Sequence, residues 1–282
     1  MQVYQNTKEL RKVLEEHRLK KKSIGLVPTM GALHEGHLSL VKKALADTNT
    51  VVVSIFVNPT QFDNKEDLEK YPSNLENDFK LLNSLSKDLF IFTPSKSEIY
   101  NGNVISKSFN FNGLDKVMEG AFRTGHFDGV ATIVELLFKA VQPDRAYFGE
   151  KDFQQLQIIK KMTEQSHLNL KIVACPIERE ASGLARSSRN ERLSESTRQA
   201  GGFIYQTLTS AKTKFGTENA IYIKEWVSAQ FNENETFELE YFEIADTETL
   251  TPTSTIQNHK RYRAFIAVFA EGIRLIDYIA LN

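Results

Sequence analysis

The sequence predicts an α/β protein in which a domain built on a parallel sheet precedes a smaller α+β domain. Three observations carry that expectation. Short apolar, β-branched runs alternate with amphipathic helical stretches up to Cys175, the rhythm of strand–helix–strand units. The run at 51–57 (VVVSIFV) is apolar almost throughout, as a strand covered on both faces must be. After Pro176 the alternation stops, and a polar connection leads into two helical stretches and two strand-like runs. The boundary is therefore expected near residue 176, giving domains 1–176 and 177–282.

Each element has a local reason. Residues 7–21 carry Leu10, Val13, Leu14 and Leu19 at helical spacing on a charged background. The apolar run 23–27 reads as a strand stopped by Pro28, and residues 38–46 resume the helical pattern. The central strand 51–57 ends at Asn58-Pro59. Residues 75–85 are amphipathic, and 89–93 form a strand before Pro94. Residues 130–141 make a strong helix with Pro143 just past its end, followed by strand 145–148, helix 153–166 and strand 170–174. Residues 177–192 hold four arginines and three serines with little periodicity. Stretches 197–212 and 220–231 then read as helices, and 237–244 and 262–269 as strands. There are no internal repeats and no low-complexity tract.

Composition narrows the function classes. A chain of 282 residues is nearer two domains than one and long enough to fold without disulfides or a structural metal. Thirty-five basic against 36 acidic residues leave a formal charge of −1, which excludes a generic polycationic nucleic-acid binder. Cys175 is the only cysteine, so neither an intrachain disulfide nor a cysteine-based zinc site is possible. The apolar runs 51–57 and 264–270 are far short of the ~20 residues that span a bilayer. The first residues, MQVYQNTKELRKVL, contain no apolar signal-peptide core. The expectation is a soluble, cytoplasmic protein with neither a nucleic-acid nor a membrane partner.

In open parallel sheets, ligands bind beyond the carboxyl ends of the strands. Four polar segments follow strands here: residues 28–37 (PTMGALHEGH), 58–62 (NPTQF), 149–155 (GEKDFQQ) and 186–189 (RSSR). His34 and His37 flank Gly36 where a helix begins, the end whose free N–H groups attract anions. Two imidazoles there are suited to phosphate oxygens and to charge developing at phosphorus. The plain alternative is a helix start with two ordinary surface histidines. A metalloprotease pair is not matched, because His-Glu-x-x-His needs one residue more. His17, His126, His167 and His259 show no partner spacing. Arg186, Ser187, Ser188 and Arg189 offer guanidinium, hydroxyl and backbone donors for a polyphosphate; alternatively they form a solvated basic loop. Lys151 after Gly149 suits a phosphate, although no P-loop motif is present. Gln61 and Gln155 are neutral groups that both donate and accept, suited to a small hydroxy acid.

Those segments, PTMGALHEGHLSLV, SIFVNPTQF, FGEKDFQQL and SSRN after SGLA, closely resemble the pantoate–β-alanine ligase family. The match is collinear and runs through EYFEI and RLIDY into the C-terminus. The first motif alone specifies only the wider superfamily of nucleotidyltransferases that carry a His-x-Gly-His signature; the four in order specify the ligase. The resemblance implies a Rossmann-like N-terminal domain, a smaller C-terminal lid and a homodimer. It also implies a two-step reaction: pantoate attacks the α-phosphate of Mg2+-bound ATP to give pantoyl adenylate and pyrophosphate, and β-alanine then displaces AMP.

Carried onto this chain, the resemblance places Met30, Gly31, Ala32, Leu33, His34, Glu35, Gly36 and His37 along ATP, with the histidines on its phosphates. Gly149, Glu150, Lys151 and Asp152 are implied at ribose and phosphates, Glu178 near adenine, Ser187, Ser188 and Arg189 at phosphates, and Arg186 among the ATP contacts. His37, His34, Lys151 and Arg189 are the implied catalytic groups. Gln61 and Gln155 are implied to hold pantoate, Gln61 also to face β-alanine, and Asn58 and Tyr71 to lie on the substrate side. The family's consecutive acidic pair for magnesium is here Asn77-Asp78, so Asp78 is the expected protein ligand. Arg186 stands where the family usually has Met or Leu, and Glu178 where it has a small apolar residue. Two other readings share some of these features: a nucleotidyltransferase acting on a phosphorylated acceptor, which leaves Gln61 and Gln155 unexplained, and a non-catalytic nucleotide binder, which would not need His34, His37 and Lys151.

Overall fold

A computed structural model describes residues 1–62, 65–69 and 71–282. The chain divides into two compact units, Met1–Pro176 and Ile177–Asn282.

The first unit runs β1 (Gln2–Tyr4), α1 (Thr7–Leu19), β2 (Ile24–Thr29), α2 (Glu35–Asp47), β3 (Thr50–Ile55), α3 (Lys65–Glu69), α4 (Leu75–Leu85), β4 (Phe90–Phe92), α5 (Lys96–Tyr100), α6 (Glu119–Phe122), α7 (His126–Val141), β5 (Arg145–Gly149), α8 (Phe153–Gln165) and β6 (Lys171–Cys175). Its six strands pair in the order β1-β4-β3-β2-β5-β6, every pair parallel. Strand order reverses between β2 and β5, the topological switch point at which open α/β sheets bind ligands.

Both faces of the sheet are covered. Val27, Val51, Val53, Ile55, Ile91 and Tyr147 pack on one side against Leu38, Val41 and Ala44 of α2 and Leu82 of α4. On the other side α1 packs on α7, with Leu10 and Leu14 fully buried. That double cover is why 50–55 shows no wet face in its sequence. Pro28 does not stop β2, which continues to Thr29 in register with Ser54 and Ile55 of β3. Pairing with β5 is confined to Gly25 and Leu26, so the two strands part before the proline and a crevice opens there.

The second unit contains α9 (Glu195–Ala200), α10 (Gly202–Phe215), α11 (Ala220–Asn232) and an antiparallel sheet of β7 (Glu238–Asp246), β8 (Tyr262–Ala270) and β9 (Ile273–Ala280). Ile204, Leu208, Ile223, Val227 and Phe231 of the helices share one core with Phe242, Ile244, Ile266, Val268 and Leu275 of the sheet. The single helix expected over 197–212 is two, broken at Gly201. A Cβ at Gly202 would lie 2.0 Å from the Ser182 carbonyl oxygen, so the second helix begins pressed against the backbone of the preceding turn. Strand β9 has no counterpart among the elements expected from sequence. Arg274 and Asp277 interrupt its apolar pattern, and Asp277 is buried against Arg179, which donates to it at 2.6 and 2.9 Å.

Candidate active site

Three of the four polar segments leave the carboxyl ends of β2, β3 and β5, side by side around the switch point. The fourth, residues 186–189, belongs to the second unit.

After β2 the chain turns sharply. Gly31 and Ala32 both take positive φ, +83° and +49°. Thr29 steadies the turn from below: its Oγ1 donates to the Ser54 carbonyl at 2.8 Å and accepts from the Gly31 N–H at 3.2 Å. Leu33 is buried in the core, which ties the far end of the loop. His34 then caps α2, its Nδ1 accepting from the Gly36 N–H at 3.1 Å. Accepting at Nδ1 puts the proton of the neutral ring on Nε2. The His34 and His37 rings lie 4.1 Å apart between centroids, side by side at the amino end of α2. Burial pushes the His37 imidazole down to about 4, with Asp152 opposing and Lys151 reinforcing the shift. His37 is therefore a neutral donor at physiological pH, and its buried Nδ1 has no hydrogen-bond partner among the described residues.

α2 packs against β5, and Lys151 and Asp152 beyond the end of β5 lie near enough to His37 for their charges to act on it. Both lie in a short turn, Glu150–Asp152, between β5 and α8. Nothing lies within 4 Å of where a Cβ on Gly149 would stand, so the strand end is open there. The two adjacent glutamines in the first turn of α8, Gln154 and Gln155, part company. Gln154 is buried, donating to the Leu114 and Val117 carbonyls at 2.6 and 2.8 Å and accepting from the Glu119 N–H at 3.1 Å. Gln155 is only half-buried, in the same first turn.

Beyond β3, Asn58 is fully buried and every polar atom of its side chain is used. Its Nδ2 donates to Gln61 Oε1 and to the Gly129 carbonyl, each at 3.1 Å, and its Oδ1 accepts from Tyr100 Oη at 2.6 Å and Thr60 Oγ1 at 3.2 Å. Asn58 thus orients Gln61, whose Nε2 donates to the Met30 thioether at 2.9 Å and so spans the ends of β2 and β3. Sequence reading missed two supports of this arrangement. Gly129 lets α7 approach so closely that a Cβ there would lie 2.2 Å from the Thr60 carbonyl oxygen. His126 Nδ1 bonds the Gln61 carbonyl at 2.8 Å and its Nε2 meets Arg123 Nη1 at 3.2 Å, with burial pushing the ring down to about 4. The signal available was the pair His126 and Gly129 at i, i+3 in one helix. A cavity of about 240 Å³ opens beside Gln61, its wall including Thr60, Phe62, Lys107, Thr124 and His126. Tyr71 packs edge-on against Phe62, ring centroids 5.7 Å apart.

In the second unit, Ser187 Oγ accepts from the Arg189 N–H at 3.3 Å and caps the short turn Ser188–Arg192. Arg186 is engaged elsewhere. Its guanidinium reaches Glu180 at 2.9 Å and Glu191 at 3.4 Å, and Glu180 also accepts from Asn190 and Arg198 at 2.6 Å each. Glu178 is exposed, and its carbonyl accepts from the Arg186 N–H at 2.9 Å. The Arg186 guanidinium is thus engaged in ion pairs within its own unit.

Asp78 does not fit a cation site. It is 1% exposed, with Oδ1 accepting from the Leu33 N–H at 2.7 Å and Oδ2 from the Ala32 N–H at 3.1 Å. Its neighbour Asn77 is neutral and exposed. Among the described residues no group of three or more His, Cys, Asp or Glu side chains is gathered to hold an ion.

Comparison with known proteins points in one direction. Residues 2–280 match the family model described as pantoate-beta-alanine ligase. A pantothenate synthetase of Christiangramia forsetii is 56% identical over 282 residues, covering all of both chains. The crystal structure of pantothenate synthetase from Thermus thermophilus superposes with a TM-score of 0.89 at 36% identity, covering 100% of this chain and 99% of that one. That of pantoate-beta-alanine ligase from Francisella tularensis, complexed with beta-gamma ATP and beta-alanine, superposes with a TM-score of 0.82 at 35% identity, covering 100% and 98%.

Proposed function

The chain belongs to the pantoate–β-alanine ligase family, and from that premise we propose how its site joins (R)-pantoate to β-alanine at the expense of ATP. A pantoate carboxylate oxygen attacks the α-phosphorus of ATP, the bond from that phosphorus to the bridging oxygen breaks, and pyrophosphate leaves with the electron pair. The amine of β-alanine then attacks the acyl carbon, the carbon–oxygen bond to AMP breaks, and the nitrogen loses a proton to give the amide pantothenate.

Such chemistry needs little covalent help. Positioning and charge stabilisation supply most of the acceleration. The observation that carries the proposal is the paired imidazoles of His34 and His37 at the amino end of α2, beside Lys151 and beneath the switch point. Neutral His37 donates to a phosphate oxygen as charge develops there, and Lys151 supplies the cation. Residues 30–33 line the nucleotide, with Gly149, Glu150 and Asp152 at ribose. By the family resemblance Ser187, Ser188 and Arg189 are assigned to the phosphates, and Glu178 and Arg186 to backbone contacts near adenine. Gln61, set by Asn58, and Gln155 hold the hydroxy acid, the cavity beside Gln61 admits β-alanine, and Tyr71, packed on Phe62 of its wall, lies on the substrate side. Magnesium enters with ATP as part of the substrate, held by the phosphates. The family resemblance supports a cytoplasmic homodimer with residues 177–282 as the lid.

The test withholds the amine. With ATP, magnesium and pantoate alone, labelled pyrophosphate should exchange into ATP, because adenylation is reversible. Addition of β-alanine should release AMP together with pantothenate. Formation of ADP, or exchange that ignores pantoate, would overturn the proposal.

A further inference from the structure

The loop that carries the nucleotide site in the reading above is held from beneath by one carboxylate. Gly31 and Ala32 are consecutive left-handed residues, and Ala32 bears a side chain that disfavours that conformation. This turn points the neighbouring N–H groups of Ala32 and Leu33 into a common hollow, a backbone concavity suited to an anion. Here the anion is internal. Asp78, from the first turn of α4, fills the hollow with its two oxygens on the N–H groups of Ala32 and Leu33, at 3.1 and 2.7 Å. The fit is close, since a Cβ on Gly31 would stand 3.0 Å from Asp78 Oδ2 and 3.2 Å from Ile55 Cγ2. Water does not compete there, with Asp78 1% exposed. One residue past Leu33 the chain reaches His34, the cap of the helix that presents both imidazoles.

We propose that Asp78 is a positioning residue for adenylation: its buried carboxylate clamps the left-handed turn of residues 31–33, and it is not a ligand of magnesium. The proposal rests on the ligase reading, in that the clamped loop is the one assigned to ATP. Asparagine at 78 keeps the shape but replaces one acceptor with a donor facing an N–H, so one of the two bonds must break. A metal ligand and a clamp then fail differently. Loss of the clamp lowers the rate of pantoate-dependent pyrophosphate exchange and leaves the magnesium concentration for half-maximal rate unchanged. Loss of a metal ligand raises that concentration and is repaired by excess magnesium.

Asp78→Asn is expected to lower kcat for exchange at least tenfold, with the magnesium dependence within twofold of the parent. Ala32→Gly in the Asp78→Asn background removes the side chain that resists the left-handed turn, and should recover part of the lost rate. A tenfold shift in magnesium dependence, recovery in excess magnesium, or an unchanged kcat would overturn the clamp. A second measurement needs no variant. In the full-length parent protein, the amide hydrogens of Ala32 and Leu33 should be protected from exchange with solvent, and magnesium alone should not move their NMR shifts. Unprotected amides overturn the clamp even if Asp78→Asn does not fold. Should the parent show no pantoate-dependent exchange, the ligase reading fails, and amide protection still decides the clamp.

Discussion

Asn58 donates its side-chain N–H to the amide oxygen of Gln61 across 3.1 Å, and that bond settles which way round the Gln61 amide stands. With its oxygen committed, Gln61 has only N–H to present toward β2 and the crevice. Asn58→Asp reverses the polarity: a carboxylate then faces the Gln61 oxygen and the Gly129 carbonyl with nothing to donate. A buried polar group without its partner costs about 1–3 kcal/mol, which as binding energy is roughly ten- to a hundredfold. Asn58→Asp should raise KM for pantoate by about that factor and leave KM for ATP within several-fold. Separate titrations of the two substrates check it, and an ATP defect with normal pantoate saturation would remove Asn58 and Gln61 from the pantoate site.

Gly129 supports the same turn from the other side. Its missing Cβ accommodates the Thr60 carbonyl oxygen, which would otherwise sit at 2.2 Å. Gly129→Ala must push α7 and the 59–61 turn apart, and overpacking of this kind costs about 1–3 kcal/mol. The variant should show a lowered denaturant midpoint and a pantoate KM raised in parallel. Unaltered stability would mean that the turn yields freely.

The pH dependence of stability follows from two imidazoles. Burial brings His37 and His126 to about 4, below the ~6.5 of an unfolded histidine. Between those values the unfolded chain binds more protons than the folded one, so stability rises with pH across that window. The contribution of both rings should be complete above about 6.5, diminish as pH falls from 6.5 toward 4, and level off below. Imidazole proton shifts followed by NMR check this directly. A midpoint near 6.5 for His37 would show a ring far better hydrated than this one.

Much of the first unit is legible in the sequence because its physics is local. Strand 50–55 announces its double burial in its own residues, and α4 forms over the span that its amphipathic pattern predicts. Features that depend on remote partners are not legible. Asp277 makes sense in β9 only once Arg179, 98 residues away, lies against it. Asp78 reads as half of an acidic pair, because nothing in its own helix shows that the amides of Ala32 and Leu33 meet it. Likewise the chain order shows Asn58 three residues from Gln61, but not that Tyr100 and Gly129 complete its hydrogen bonding. The resemblance supplies roles for residues, and the structure supplies the reasons that those residues hold still.

Arg186 offers a test of departure from the family pattern. Its guanidinium is committed to Glu180 and Glu191, and Glu180 keeps Arg198 and Asn190 when Arg186 is removed. Arg186→Met should therefore change KM for ATP less than about fivefold, the scale of a partly exposed ion pair. A loss of ATP affinity of about a hundredfold or more would mean that the guanidinium leaves Glu180 to bind phosphate.

His37→Ala separates binding from catalysis. In the ground state ATP is held by many groups, so a single imidazole adds little to its affinity. As the pantoate oxygen approaches and the bridging oxygen departs, charge grows on the α-phosphate, and a fixed neutral donor is worth more in that state than before it. The structure favours this use. Burial keeps His37 uncharged, so it does not pull on the resting triphosphate as a cation would, while its place in the first turn of α2 beside His34 fixes its direction. Removing one such donor typically costs ~10²–10³ in rate. His37→Ala should therefore lower kcat for pantoate-dependent exchange by about that factor and shift ATP affinity only several-fold. His37→Asn, which keeps a neutral N–H donor on a shorter side chain, should recover part of the rate. If instead ATP affinity collapses while kcat at saturation is near normal, His37 is a binding group and the charge at phosphorus is stabilised by others. If both parameters stay near those of the parent, His37 has no part in the reaction.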